Sequence, residues 1–307
     1  MQIFYQNEIE DFQPCVATVG IFDGVHAGHR FLIEQVKEFA NALNIMSVVI
    51  TFAKHPRSVL NPEFSPEILN TLPEKLQQLE STGIDACIVL DFTIEMGQLS
   101  AYNFLKTILF QKFNVQTLLV GHDHRFGRDR KDGFPEYLQY GKSIGMKVMQ
   151  ATRFRTALDE LISSSEIRNL LQKGDIEHAN RLLNYNYNFC GKVIDGFKVG
   201  RKIGFPTANI FIENQFKLIP AMGVYAVQVL WNNQFYKGML NIGVRPTLNG
   251  TKVSLEVHII DFNEDIYNQI IEIYFIRKIR DEKKFDGIDE LIEQLKKDKQ
   301  QVIEMNY

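Results

Sequence analysis

Through the first half of the chain, short apolar runs alternate with stretches in which apolar side chains recur every three or four positions. That alternation is characteristic of strands joined by crossover helices in a parallel sheet. Residues 16–20, 47–52, 86–91, 117–121 and 146–150 read as strands, each bounded by glycine or polar residues. The spacing predicts helices over 29–43, 73–81, 101–109 and 135–143. A doubly wound, Rossmann-like α/β sheet is the expected architecture. Two further short helices, 163–171 and 175–183, each open on a capping residue and are separated by Lys173-Gly174.

The periodicity then changes. The polar and aromatic string NYNYN at 184–188 follows neither a helical nor a strand period, which predicts domains over 1–184 and 185–307. From 189 to 280, β-branched and aromatic runs are separated by turns such as Asp195-Gly196, Asn232-Asn233 and Asn249-Gly250. An antiparallel barrel or sandwich fits that pattern, with its clearest strands at 223–231, 234–242, 252–260 and 269–276. A terminal helix over 288–299 would place Ile288, Leu291, Ile292 and Leu295 on one docking face.

Composition narrows the function. A chain of 307 residues exceeds the usual size of one core, and 45% hydrophobic with 23% charged residues describes a globular protein. A net charge of -3 gives no global field for nucleic acid or anionic lipid, so neither is an expected partner. Cys15, Cys87 and Cys190 lie far apart, without metal-ligand spacing, and read as reduced core thiols. The start MQIFYQNEIEDF lacks a basic, apolar leader, and no run approaches the roughly 20 apolar residues of a membrane span. Together these features predict a cytoplasmic protein.

The first strand runs into GIFDGVHAGH at 20–29. Gly20 and Gly24 allow close backbone approach to a phosphate, the helix start offers free amides, and His26 and His29 share one helix face. That arrangement suits nucleotidyl transfer, although an isolated HxGH also occurs as a plain turn and helix start. The longer string resembles the HxGH nucleotidyltransferase superfamily, in the form seen in the adenylyltransferase half of prokaryotic bifunctional riboflavin kinase/FAD synthetases. TFAKHP at 51–56, GHDHRFG at 121–127 and SSSEIR at 163–168 resemble further motifs of that family, in order.

The resemblance implies that His26 and His29 bind ATP phosphates and stabilise the transition state. It implies nucleotide phosphate contacts for Gly20, Phe22, Gly24, Ser164, Ser165 and Arg168, and flavin or adenine contacts for Asp123 and Phe126. His124, Lys54 and Leu161 depart from the family pattern, where an aromatic residue, a proline and an arginine are usual. The run Arg125, Arg128, Arg130 and Lys131 reads either as a solvated loop or as a phosphate attractor.

In the second half, GRKIGFPTANI at 200–210 offers a glycine-bearing loop followed by hydroxyl and amide oxygens, a weak signal for Mg²⁺ by itself. It resembles the signature of the riboflavin kinase family and is followed, as there, by GVYAVQV, NIGVRPT, LEVHIIDF and IRDEKKF. The resemblance implies a six-stranded antiparallel barrel with a terminal helix. It assigns the nucleotide's Mg²⁺ to Thr207 and Asn209, ATP contacts to Gly200 and Gly204, the general base to Glu256, and flavin contacts to Arg280 and Phe285. Alternation places Leu255, Val257 and Ile259 on one face and Glu256 and His258 on the other, where His258 is expected to be solvent-exposed.

The expectation is therefore a bifunctional enzyme of flavin cofactor synthesis. Riboflavin and ATP would give FMN and ADP in the second domain, and FMN and ATP would give FAD and pyrophosphate in the first. A chain retaining only the kinase activity and a flavin-binding sensor without turnover are the alternatives. A monomer or weak homo-oligomer is expected.

Overall fold

The computed structural model describes all residues except 62, 123, 155–161, 197–198, 248–249 and 306–307. Asp123 and Leu161 thus lie outside the described residues, as does Asn249 of the predicted 249–250 turn. The chain divides into two compact units, Met1–Ser164 and Ser165–Tyr307.

The first unit is built on a six-stranded sheet. Its strands are β1 (Gln2–Tyr5), β2 (Cys15–Val19), β3 (Met46–Phe52), β4 (Ala86–Leu90), β5 (Val115–Val120) and β6 (Lys147–Gln150). They run in the order β1-β4-β3-β2-β5-β6, and every pairing is parallel. All residues of β2 and β4 are buried, as expected where helices cover both faces. Alternate residues feed two cores: Ala17, Ile50 and Ile88 enter one, and Val16, Val49 and Cys87 the other.

From β2 the strand order grows through β3 and β4 to one side, then jumps to β5 on the other. The carboxyl ends of β2 and β5 therefore flank a topological switch point, where open α/β sheets place ligands. The helix after β2, Ala27–Leu43, buries Ile33, Val36 and Ala40 and stops at Asn44, which adopts a left-handed conformation. Leu72–Glu80 opens on a reciprocal Thr71–Glu74 capping box. The predicted 101–109 helix is instead a short turn, Ala101–Asn103, followed by π-helical winding over Phe104–Lys112.

The second unit contains all but the first residue of the helix Ser164–Lys173 and the helix Ile176–Leu183, joined through Gly174 at φ +79°. This pair lies beside the barrel strands, tied by Asn180 Nδ2 to the Phe275 carbonyl at 2.9 Å and by Ala221 N to the Leu171 carbonyl at 3.0 Å. The barrel strands are β7 (Asn188–Ile194), β8 (Ala208–Phe211), β9 (Gly223–Trp231), β10 (Gln234–Thr247), β11 (Gly250–Ile259) and β12 (Ile270–Arg280). They close in the order β10-β11-β8-β7-β12-β9, antiparallel throughout. Closure distinguishes this barrel from the sandwich that periodicity alone allowed.

Phe189, Val227, Leu240, Val257 and Phe275 are fully buried. On the opposite strand face, Ala226, Met239, Phe205 and Ile260 pack with Val302 of the terminal helix, Ile288–Glu304. That helix continues beyond the predicted residue 299. Ile288 does not join its docking face: the side chain is 64% exposed, because it occupies the first position of the helix, before the turns that meet the barrel. Ile292, Leu295 and Val302 supply the apolar contact instead.

Candidate active sites

In the first unit, β2 ends in a tight turn through Gly20–Val25 that delivers His26 as the N-cap of the following helix. His26 Nδ1 accepts from the His29 backbone N–H at 3.3 Å. The neutral ring must then carry its proton on Nε2, leaving an N–H donor on the far side. The His26 and His29 rings stack at 3.6 Å between centroids and 15° between planes. Phe22 meets His29 edge-on at 5.1 Å. Among the described residues, His29 Nδ1 is buried with no hydrogen-bond partner, an atom suited to a ligand oxygen.

Burial brings the His26 imidazole down to about 4, its own backbone hydrogen bond only partly opposing this. Burial, followed by the charges of His26, His124 and Lys75, holds His29 well below the usual histidine range. Both rings are neutral near pH 7. The stability consequence follows: the unfolded chain takes up a proton on His26 near pH 6.5, the folded one only near pH 4. Stability is therefore complete above about 6.5 and falls as pH drops toward 4, by about 3 kcal/mol from this residue. Denaturant unfolding at pH 7 and pH 4 should show that loss for the wild-type chain, reduced in His26→Asn, which retains a good N-cap.

Ser164 donates its hydroxyl to the Asp23 carbonyl at 2.8 Å, so the SSSEIR segment reaches the turn through Ser164. Ser165, exposed, and Arg168, half-buried, follow on the same helix and belong to the second compact unit. The Asp23 carboxylate accepts from Leu69 N at 2.9 Å and Asn70 N at 3.2 Å. Asp23 lay within the recognised string, yet nothing in the sequence marked it as an anchor.

Beyond β5, Phe126 stacks on Tyr137 at 4.1 Å and 9° and flanks the core, and its N–H donates to the Tyr137 hydroxyl at 3.0 Å. Beside it is a cleft of about 420 Å³ whose lining includes His122, His124, Arg125, Lys131 and Gln150. Burial and the nearby Arg130 lower the half-buried His124 to about 4. Arg125 donates to the Lys131 carbonyl at 3.0 Å. Lys54 is exposed in the loop after β3.

In the second unit, β8 places Asn209 directly opposite Glu256 on β11, and β10 places Asn241 opposite Glu256 on its other side. The Thr207 hydroxyl donates to Glu256 Oε2 at 3.4 Å. Hydroxyl, amide and carboxylate thus converge on one strand face. The glycines beside them are required by space: a Cβ at Gly196 would overlap the Asn209 amide, and one at Gly200 would overlap the Phe205 carbonyl. Gly204 sits at φ +82°, a conformation that favours glycine, with nothing crowding it. Asn241, in NIGVRPT, is a site neighbour that sequence reasoning did not single out.

His258 is not solvent-exposed as expected. It is 7% exposed because the Phe205-Pro206 segment covers its strand face: Nδ1 lies 2.7 Å from the Pro206 carbonyl and the ring meets Phe205 edge-on. Burial lowers it from the usual histidine range, so a neutral ring donating from Nδ1 fixes the segment leading to Thr207.

Arg280 donates from Nε and Nη2 to Asp298 Oδ2, each at 2.9 Å, and from Nη1 to the Asp281 carbonyl at 3.1 Å. Its guanidinium therefore anchors the terminal helix to the end of β12. Phe285 is flanked by the same guanidinium at 5.7 Å and by Lys283 at 5.3 Å.

Comparison with known proteins follows this division. Residues 8–166 match the FAD synthetase family model, and residues 183–306 match the riboflavin kinase model. A bifunctional riboflavin kinase/FMN adenylyltransferase of Haemophilus influenzae is 38% identical, over 93% of this chain and 92% of its own length. The Bacillus subtilis protein of the same description is 38% identical, over 96% and 93%. A crystal structure described as a macrolide-efflux protein from Streptococcus pneumoniae superposes with a TM-score of 0.91 at 30% identity, covering all of both chains. Among the described residues, no helix is long and apolar enough to cross a membrane. With both modules matched in succession and relatives aligned over nearly their full length, this chain belongs to the bifunctional riboflavin kinase/FMN adenylyltransferase family.

Proposed function

We propose that this chain makes FMN from riboflavin at its barrel and FAD from FMN at its parallel-sheet unit, using ATP in both reactions. The observation that carries the reading is the succession of FAD synthetase and riboflavin kinase matches over units that carry, respectively, the stacked histidines and the Thr207–Glu256 pair. We take the functional boundary at 184/185, next to the start of the kinase match at residue 183.

At the barrel, Glu256 accepts the proton of the ribityl 5′-hydroxyl as that oxygen attacks the γ-phosphorus of ATP and ADP departs. Thr207 and Asn209 fit a hard cation: their oxygen-bearing groups border the same carboxylate, and Gly196 and Gly200, lacking a Cβ, let the backbone pack directly against the Asn209 amide and the Phe205 carbonyl. They would hold Mg²⁺, which when bound offsets phosphate charge. Gly200 and Gly204 keep the loop open to the nucleotide, and Phe285 with Arg280 borders the flavin. Gly196→Ala should push the Asn209 amide aside and raise the kinase KM for MgATP about tenfold. Initial rates would check this, with FAD formation from FMN unchanged.

At the sheet unit, an FMN phosphate oxygen attacks the α-phosphorus of ATP, and pyrophosphate leaves. His26 donates from Nε2–H and His29 from its ring to the charge developing on the phosphates, while Gly20, Phe22 and Gly24 shape the turn around them. Ser164, Ser165 and Arg168 bind phosphate, and Asp123 and Phe126 border the flavin or adenine. The reading places the protein in the cytoplasm, consistent with three cysteines that are all free thiols.

Product chromatography tests the assignment. Riboflavin, ATP and Mg²⁺ should give FMN and FAD, and FMN, ATP and Mg²⁺ should give FAD. FMN alone from the first mixture would leave only the kinase, and no product from either would remove both activities.

A further inference from the structure

The Leu72–Glu80 helix carries Lys75 three residues after Leu72 and four before Leu79, on the face that packs into the core, where a lysine is unusual. Lys75 is only 6% exposed. Its ammonium lies at the carboxyl ends of β2 and β3. It donates to the Ile21 carbonyl at 3.2 Å, the Thr51 hydroxyl at 3.1 Å and the Phe52 carbonyl at 2.9 Å. Thr51, fully buried, donates onward to the same Ile21 carbonyl at 3.1 Å. A lysine ammonium has three donors, and here all three are directed to protein oxygens, leaving none for a phosphate.

The ammonium holds a strained turn. Phe22 at φ 52° and Val25 at φ 35° are non-glycine residues in the left-handed region, on either side of Gly24 at φ 83°. Such conformations persist only where the surroundings over-determine them. The same short segment supplies two anchors: the Leu69 and Asn70 amides hold Asp23, and Lys75 holds Ile21. Burial lowers the ammonium to about 8, an effect opposed first by Asp23, so the group remains mostly charged near neutrality.

We propose that Lys75 is a positioning residue for adenylyl transfer, tying the turn that delivers His26 and His29 to the Thr51–Phe52 end of β3 and so fixing where the two imidazoles stand. The inference rests on the adenylyltransferase reading of the first unit. Lys75 touches no substrate in this scheme; it acts through Ile21 and Thr51.

The test uses the full-length chain and follows FAD formation from FMN, ATP and Mg²⁺ in the wild type, Lys75→Met, Thr51→Val and the double variant. Lys75→Met should lower kcat about 100-fold, the cost of a small misplacement of reacting groups, with KM for ATP and FMN unchanged. Thr51→Val should lower kcat by roughly tenfold, the loss expected for one hydrogen bond. The double variant should be no slower than Lys75→Met, because both changes cut one link. Circular dichroism and the unfolding midpoint accompany the rates, since partial unfolding would also lower kcat at constant KM.

A folded Lys75→Met with wild-type kcat would overturn the proposal, as would strictly multiplicative losses in the double variant. A rise in KM for ATP with kcat preserved would also overturn it, by making Lys75 a substrate contact. If Lys75→Met does not fold, Thr51→Val decides alone, and an unchanged kcat there refutes the link. A wild-type chain that makes no FAD would refute the underlying adenylyltransferase reading before any variant is measured.

Discussion

Glu256→Gln should lower FMN formation from riboflavin by about 10²–10⁴-fold while FAD formation from supplied FMN continues at the wild-type rate. Glutamine keeps the size of the side chain and can still accept the Thr207 hydroxyl, whose hydrogen bond to Glu256 Oε2 spans 3.4 Å. It cannot take a proton. Removing a general base lowers rates by about 10²–10⁴-fold, and the loss should fall on kcat because neither the Asn209 nor the Asn241 strand pairing is disturbed. Steady-state rates for both reactions on one preparation check the outcome. Loss of both activities in a folded chain would refute two separate sites.

His29→Ala should produce the opposite pattern, with FAD formation reduced by about 10²–10³-fold and riboflavin phosphorylation unaffected. The size follows from deleting one preorganised donor in a buried site. His29 lies in the stack with His26, its Nδ1 is buried without a partner, and its ring is neutral near pH 7. Alanine is a better helix former than histidine, so the Ala27–Leu43 helix should persist and the loss should be chemical. Equal retention of both activities would remove His29 from the mechanism.

Strands β2 to β6 were legible because parallel strands buried on both faces appear as continuous apolar runs between glycine or polar punctuation. Gln2–Tyr5 was not. It is a four-residue edge strand whose side chains are mostly exposed, and among the described residues it pairs only with β4, far away in sequence. The histidine turn and the PTAN loop were legible because their chemistry sits in short contiguous strings. What stayed hidden depends on distant partners. Helical spacing puts Lys75 on the apolar face with Leu72 and Leu79, but that its ammonium ties Ile21, Thr51 and Phe52 together shows only once those distant residues surround it. Arg280 finds its carboxylate at Asp298, a turn of a later helix. Strand alternation put His258 on the correct face of β11 but could not reveal that the Phe205-Pro206 segment covers that face.

The barrel's closure has a consequence during synthesis. β12 is the last strand to be made, yet it lies between β7 and β9 and pairs with both. The earlier strands can form hairpins as they emerge, but the ring cannot close until Arg280 has been translated. Until then β7 and β9 each present an unpaired edge, the kind of surface that recruits neighbouring chains. All six sheet strands of the first unit, by contrast, are complete by Gln150. A ribosome stalled between residues 231 and 270 would therefore hold a nascent chain whose leading half can already be native while its trailing half is most prone to aggregate.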